Sequence, residues 1–479
     1  MADRSGVVSP NRPPRTTSVS SALIYSDRPT RGEFALVLLS AVVLALATLV
    51  GGGTEPGLDG DFVLQLASLP LFFLAIWQLR EKPTSRILRA AWIWLFLLGL
   101  LFTLQCIPLP VSVWTALGER TQIAHEMTNA GLSLVARPLS LDPYATERMA
   151  RTLLPPAAIF LAATALKTDS RIALLRVVFV MAVASTILGL AQVTDGAGST
   201  LRFYAITNFT EAVGFFANRN HFAAMLYVTL PLAIAWFGAR LAQRQEGRGV
   251  PVLAIVGTGL VTIMLIVGLV LARSRAGLVL GMLGVLGGVA TVASVTWPAR
   301  ANLRVTRVVA VIAIVGILIA VQFGLYGVLE RAQEDPVDHA RWAWLLTSLE
   351  AARHFGPWGA GFGTFVNAFQ NFENPAAITQ FYVNHAHDDW VEVWLEGGLP
   401  AACLALLLLV WLGVGVARAW FRRGSSILAT AVRRAASISI LLVLMHEFVD
   451  YSLRTSTILC LFALMCALLV SKNETRRSV

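Results

Sequence analysis

Residues 384–415 read NHAHDDWVEVWLEGGLPAACLALLLLVWLGVG, and the character of this stretch changes near Pro400. Its first part carries two histidines and four carboxylates, whereas its second part is continuously apolar. The apolar run from about residue 390 to 415 suffices to cross a bilayer, because roughly 20 residues of helix span the hydrocarbon core. The stretch therefore predicts a membrane helix that begins among titratable side chains.

The rest of the chain repeats this apolar pattern. Mean hydropathy is +0.68, and 56% of the 479 residues are hydrophobic while only 14% are charged. Such a composition predicts an all-α polytopic membrane protein with about twelve transmembrane helices. The predicted spans lie near residues 34–51, 62–79, 87–106, 152–166, 172–193, 219–238, 251–272, 276–296, 308–328, 390–415, 436–449 and 456–471.

The basic charge is explained by topology. The formal net charge is +10, and with twelve spans the lysines and arginines concentrate on the side of the two termini, while most acids fall on the other side. This asymmetry predicts cytoplasmic termini, so the charge gives no reason to expect nucleic-acid binding. The polar segments 1–32 and 472–479 are predicted to be cytoplasmic tails, the first one disordered, around a membrane domain at 33–471.

Two long loops are predicted on the extracytoplasmic side, at about 107–151 and 329–389. The second loop reads as a helix, a turn and a helix. ARWAWLLTSLEAARH (340–354) has amphipathic spacing, and GPWGAGFGTF (356–365) is a glycine-rich turn.

Ionisable residues at the ends of membrane helices are costly, which makes them candidates for function. Asp388, Glu392 and Glu396 are spaced i, i+4, i+8 and predict one acidic face of a helix, with Asp389 close beside it. His385 and His387 precede it, and a histidine beside a carboxylate can act as a general base. Two alternatives remain open: a solvated loop followed by acids that favour a helix start, and a metal site.

Two arginines occupy a short turn in LARSRAGLVLG (271–281). Arg273 and Arg275 lie on the side of the membrane that is poor in basic residues. They predict an anionic partner such as a phosphate or diphosphate, which matches the guanidinium fork. The alternative is that both side chains extend to lipid head groups.

Two further segments place polar residues at the same face. In VGFFANRNHFAAML (213–226), Arg219, Asn220 and His221 open a span, and a helix N-terminus is either simply capped or an anion site. Arg341 lies at the start of the amphipathic loop helix and is a further candidate for function. The alternative is an ordinary solvated arginine on the surface. The segment HEFVDYSLRTS (446–456) adds possible internal salt-bridge partners, namely His446, Glu447, Asp450 and Arg454.

Together these segments resemble the O-antigen ligase and polymerase superfamily over about residues 135–470. The resemblance rests mainly on HAHDDWVEVWLEGGLPA, SRAG and ANRNHFAAML. It implies a C-type glycosyltransferase-like helical bundle in the bacterial cytoplasmic (inner) membrane, with its active site on the periplasmic face. It also implies an inverting transfer of a glycan from undecaprenyl diphosphate to an acceptor hydroxyl, without metal or other cofactor. The acceptor is lipid A–core in a ligase and a second lipid-linked glycan in a polymerase.

The resemblance also implies residue roles. His387 matches the motif histidine, although Asp388 stands where the family has asparagine, and Arg275 and Arg341 match two essential arginines. His387 is then the base on the acceptor hydroxyl, and the arginines stabilise the diphosphate leaving group. The remaining residues predicted to bind substrate are Arg273, Arg219, Asn220, His221, His385, Asp388, Glu392, Glu396 and Asp450.

Functions of other classes are also compatible with a polytopic chain. A secondary transporter would use intramembrane acidic residues, with broken helices at the midplane and often inverted repeats. Here the ionisable residues collect at one face and no internal repeat is evident, which favours the enzyme. A structural or assembly subunit is the other alternative.

Overall fold

The computed structural model describes residues 30–55, 59–82, 85–296, 336–378, 382–422 and 426–470, together with scattered positions between 307 and 318. Most of the predicted N-terminal tail, the tail at 472–479 and most of the predicted span near 308–328 lie outside the described residues.

The described residues form sixteen α-helices, two short strands and two short 3₁₀-helices, Pro375–Ala377 and Ser452–Arg454. In chain order these are α1 (Arg31–Val50), α2 (Asp59–Leu79), α3 (Arg86–Cys106), β1 (Pro108–Leu109), α4 (Val111–Trp114), α5 (Arg120–Asn129), β2 (Arg137–Pro138), α6 (Pro143–Thr152), α7 (Leu154–Ala165), α8 (Thr168–Asp195), α9 (Arg219–Gln245), α10 (Val252–Ala272), α11 (Arg275–Thr296), α12 (Pro336–His354), α13 (Phe365–Phe369), α14 (Asp389–Phe421), α15 (Ile427–His446) and α16 (Ser456–Leu469).

The prediction of an all-α polytopic membrane protein is confirmed. Nine of the described helices, α1–α3, α8–α11, α14 and α15, are long and apolar enough to cross a membrane. Two predicted spans, near 152–166 and 456–471, are the shorter helices α7 and α16, of 12 and 14 residues. At 1.5 Å per residue they measure about 18 and 21 Å, less than a full hydrocarbon core. The predicted span near 436–449 starts earlier, because α15 begins at Ile427.

Helix α9 lies at the centre of the bundle and packs against α8, α10, α11, α15 and α16. All of its residues from Asn220 to Trp236 are buried, as expected of a helix enclosed by others. Small residues on α11 allow close contact with it: a Cβ added to Gly288 would lie 2.9 Å from Ile234 Cβ, and one added to Gly284 would lie 3.3 Å from the Tyr227 carbonyl oxygen. Such glycine contacts bring helix backbones together where no hydrophobic driving force operates.

The described residues of the two predicted loops pack into one body, called the loop body below. Its first part includes the antiparallel pair β1–β2, and its second part includes α12, the glycine-rich turn and the short helix α13. Arg120 on α5 is fully buried and donates to the carbonyls of Leu139 and Gly359, the latter at 2.8 Å. Burial lowers the pKa of Arg120 to about 10, so it stays charged at neutral pH. The Leu141 amide donates to the Ala360 carbonyl at 2.8 Å and joins the two parts again.

The glycine-rich turn lies against a break in α14. Gly398 has φ 57° and ψ −152°, which interrupts the helix one turn before its long apolar part. A Cβ on Gly359 would lie 2.4 Å from the Glu396 carbonyl oxygen, and the Ala360 amide donates to the Leu395 carbonyl at 2.8 Å. Only glycine permits this approach at a positive φ, so the turn holds the first nine residues of α14 against the loop body.

We predict that Gly288→Val destabilises the bundle, because the larger side chain would push α11 away from α9. Overpacking of this kind costs typically about 1–3 kcal/mol. Thermal unfolding in detergent measures the effect as a lowered Tm. The control is Gly413→Val on α14, where an added Cβ meets nothing within 4 Å; equal Tm values for the two variants would contradict the packing described here.

Candidate active site

A buried carboxylate is the centre of a polar cluster at the end of the bundle where α9 and α14 begin and α15 ends. Asp450 is fully buried, and its Oδ1 lies 3.6 Å from His387 Nδ1 and 3.8 Å from His221 Nε2. Its Oδ2 lies 4.0 Å from His446 Nε2 and accepts a hydrogen bond of 2.6 Å from Asn220 Nδ2. We call these five residues the Asp450 cluster.

Asp450 is ionised in this environment. Burial alone would raise its pKa, but the neighbouring His221 and His387 hold the pKa well below its usual range. The imidazole distances of 3.6 and 3.8 Å exceed the 2.7–3.2 Å of an N–H···O hydrogen bond. The carboxylate therefore acts on these two rings mainly through its charge.

His387 is held in an unusual backbone conformation with a positive φ of 54°. Its imidazole stacks on Trp344 of α12 with a centroid distance of 5.4 Å, and only 11% of the side chain is exposed. Burial lowers its pKa below the usual 6.5; Asp450 opposes this shift, whereas Arg341 and His385 add to it. The ring is therefore neutral at neutral pH and can accept a proton.

Tyr451 connects the histidines from the other side. Its ring centroid lies 4.2 Å from that of His385, 4.9 Å from His387 and 5.1 Å from His221. Burial raises the pKa of Tyr451, so the phenol stays neutral. Neither Tyr451 nor Trp344 was predicted from the sequence. The spacing of three residues between Arg341 and Trp344, which places both on one face of α12, was an available signal.

The acids of α14 bind one arginine. Arg454 donates from Nε to Asp389 Oδ1 at 2.6 Å and from Nη1 to Glu396 Oε2 at 2.9 Å, and its Nη2 lies 3.4 Å from Glu392 Oε1. Although burial opposes its charge, these three carboxylates raise the pKa of Arg454 well above its usual value. The predicted acidic face is therefore wrong in one member. Asp388 is the N-cap of α14 and accepts from the Val391 amide at 3.1 Å, so the face comprises Asp389, Glu392 and Glu396 at i, i+3 and i+7.

Two acids predicted to bind substrate have partners inside the protein. Glu392 also accepts from His385 Nδ1 at 2.7 Å and from the Ala386 amide at 2.9 Å. Glu396 accepts from the Phe365 amide at 3.2 Å. Both carboxylates are fully buried, which favours a role in fixing the segment around His387 over direct contact with a substrate.

The predicted arginines occupy different positions at this end of the bundle. Arg341 lies close enough to the Asp450 cluster for its charge to lower the pKa of His387. Arg273 and Arg275 are exposed at the turn between α10 and α11. A Cβ on Gly277 would lie 2.5 Å from Ala223 Cβ, which places this turn at the same end as His221. Arg219 pairs with Glu211 at 3.1 Å.

Chemically, the arrangement offers a neutral imidazole beside an ionised carboxylate, with arginines at the same end of the bundle. Within the part of the chain that the structure describes, no group of three or more histidine, cysteine, aspartate and glutamate side chains could hold a metal ion. The arrangement is suited to general-base chemistry on an anionic substrate.

The fold and the site define a multi-pass membrane protein with an imidazole and a buried carboxylate close together at one end of its helices. Residues 260–406 match the family model described as O-antigen ligase. This match confirms the resemblance to the O-antigen ligase and polymerase superfamily, and it supports a glycosyltransferase of that general type. The matched segment contains Arg275, Arg341 and His387, whereas Asn220 and Asp450 lie outside it. The search of curated proteins gave no match.

We predict that Arg454→Gln strongly destabilises the fold, because it leaves the buried carboxylates of α14 without their cation. Breaking a buried ion pair from one side costs about 3–5 kcal/mol. Thermal unfolding in detergent would show a large fall in Tm. The matched control is Arg151→Gln, which removes an exposed pair of 3.9 Å with Glu147 and should change stability little. Similar Tm values for the two variants would contradict the importance of the Arg454 network.

We also predict that Glu447→Gln stabilises the protein at alkaline pH. Burial raises the pKa of Glu447 well above its usual value, and the charge of Asp389 acts in the same direction. The folded state thus keeps a proton that the unfolded chain loses near pH 4.3, so stability falls as the pH rises from about 4.3 toward the raised pKa. Glutamine keeps the neutral form at every pH. The variant should therefore have the same Tm as the wild type near pH 4 and a higher Tm near pH 8. A lower Tm for the variant at pH 8 would contradict the raised pKa of Glu447.

Proposed function

We propose that the protein is an inverting glycosyltransferase. It moves a glycan from undecaprenyl diphosphate to an acceptor hydroxyl on the periplasmic face of the bacterial cytoplasmic membrane. The observation that carries the proposal is the position of His387, neutral and 3.6 Å from the buried Asp450 carboxylate, within the segment that matches the O-antigen ligase family.

His387 acts as the general base. The lone pair of its unprotonated ring nitrogen takes the proton of the acceptor hydroxyl while the hydroxyl oxygen forms a bond to the anomeric carbon. The bond from this carbon to the diphosphate oxygen breaks on the opposite side, so the configuration inverts. Asp450 stabilises the imidazolium that forms, as a carboxylate does beside a catalytic histidine, and Asn220 holds that carboxylate through its hydrogen bond of 2.6 Å.

Arg341 and Arg275 stabilise the diphosphate leaving group, with Arg273 beside them. A departing diphosphate gains negative charge in the transition state, and guanidinium groups bind phosphate oxygens in pairs. The closeness of Arg341 to His387 and the location of the α10–α11 turn at the same end of the bundle support these roles. Loss of one such arginine should lower the rate about 10²-fold or more, by analogy with lost oxyanion donors.

The test uses purified protein in proteoliposomes with a defined glycan on undecaprenyl diphosphate. Lipid A–core is offered in one reaction and omitted in the other, and product size is followed on gels. One larger species that requires lipid A–core identifies a ligase, whereas a ladder formed without it identifies a polymerase. Folded protein that forms no product in either reaction contradicts the proposed function.

We predict that His387→Ala and Arg341→Gln each lower this activity at least about 10²-fold, since one removes the base and the other a leaving-group cation. The control is Arg353→Gln, an exposed arginine on the same helix α12, which should retain activity. Initial rates in the proteoliposome assay measure the difference, after equal Tm values establish intact folding. Full activity in His387→Ala would refute the assignment of the base.

We predict a pH profile that depends on Asp450. The base form of His387 is required, so activity should fall as the pH drops through its pKa, which lies below 6.5. The charge of Asp450 raises that pKa; Asp450→Asn should therefore move the acidic limb to lower pH and also reduce the maximal rate. Asp195→Asn, at the exposed end of α8, should leave the limb in place. If the acidic limb of the Asp450→Asn profile stays in place or moves to higher pH, the electrostatic coupling between Asp450 and His387 is refuted.

A further inference from the structure

An apolar groove runs along one side of the bundle, between α3, α7, α14 and α16. Its volume is about 680 Å³, and side chains such as Trp94, Phe160 and Leu408 line its middle. Ile93 and Leu407 at its edge are exposed, so the groove opens toward the surroundings of the helices. We call it the lateral groove.

The two ends of the lateral groove differ in charge. Asp389 and Glu447 line the end near the Asp450 cluster, whereas Arg86 and Arg418 line the opposite end. Two indole hydrogen bonds fasten α3 to α14 along its length: Trp94 Nε1 donates to the Leu404 carbonyl at 2.7 Å, and Trp411 Nε1 to the Ile87 carbonyl at 2.8 Å. The groove is thus a formed feature of the bundle.

Positive charge accumulates at the arginine end of the groove. Arg422 follows Arg418 by one helical turn, and its charge acts on Arg433 of α15. Arg433 is only 9% exposed. An anion at this end of the groove would compensate these cations.

We propose that the lateral groove binds an anionic phospholipid. Its acyl chains lie along the apolar middle, and its phosphate lies at the end formed by Arg86 and Arg418, near Arg422 and Arg433. Basic residues beside apolar surface between membrane helices are the chemistry that recognises such head groups. The phosphate end lies opposite His387, so the bound lipid has a structural role and is neither donor nor acceptor in the reaction.

The experiment measures lipid binding to delipidated protein in detergent by native mass spectrometry. The probes are phosphatidylglycerol, phosphatidylcholine with the same acyl chains, and undecaprenyl phosphate. We expect one tightly bound phosphatidylglycerol per chain and weaker binding of phosphatidylcholine. Arg418→Gln and Arg86→Gln, which remove the two arginines that line the groove, should each weaken phosphatidylglycerol binding about fivefold, the effect of one juxtamembrane charge. Arg89→Gln, an exposed arginine of α3 that does not line the groove, should bind like the wild type.

A second variant locates the acyl chains. Ala405→Trp places a large side chain in the lateral groove and should weaken binding of both phospholipids, with Tm establishing that the variant is folded. Unchanged binding in folded Ala405→Trp would overturn the proposal. Equal affinities for the two phospholipids would also overturn it, because they indicate a non-specific lipid layer. Displacement of phosphatidylglycerol by undecaprenyl phosphate would overturn it as well, because it indicates a channel for the glycan donor. Since no glycan transfer is measured, these results are independent of the proposed function.

Discussion

The ionic network of Arg454 is the interaction on which the candidate site depends. Three carboxylates on one face of α14 would be too costly to bury alone, and the single guanidinium joins Asp389, Glu392 and Glu396 to the turn after α15. Glu392 then binds His385 and the backbone of Ala386. The network therefore fixes the residue that follows, His387, without any direct contact between His387 and Arg454.

The site is assembled from distant parts of the chain. Helix α9 contributes Asn220 and His221, the turn after α15 contributes Asp450 and Tyr451, and the loop before α14 contributes His387. The loop body adds α12, which stacks an indole on the imidazole. Apolar packing of the bundle brings these ends together, and the buried polar groups then select one arrangement because each depends on its neighbours for charge compensation.

Hydropathy alone predicted most of the spans, because a long apolar run crosses a membrane whatever its partners are. His387 and Asp450 were predicted individually, since ionisable groups at helix ends are few. Their arrangement was not predictable, because it depends on contacts between segments far apart in the chain: Arg454 lies 65 residues from Asp389. The wrong assignment of Asp388 to the acidic face has a local cause. Asp388 and Asp389 are adjacent, and only the cap geometry decides which begins the helix. The run near 152–166 was predicted as a span, but the helix α7 found there has only 12 residues, since an apolar run does not reveal where α6 ends.

The break at Gly398 has a mechanical consequence for a membrane protein. Transmembrane helices adjust their tilt when bilayer thickness changes, and an unbroken α14 would transmit that tilt to every side chain on it. The positive φ at Gly398 separates the apolar part of the helix from the nine residues that carry Asp389, Glu392 and Glu396. Those nine residues are fastened to the loop body and to Arg454, so the polar end keeps its geometry while the apolar part follows the lipid.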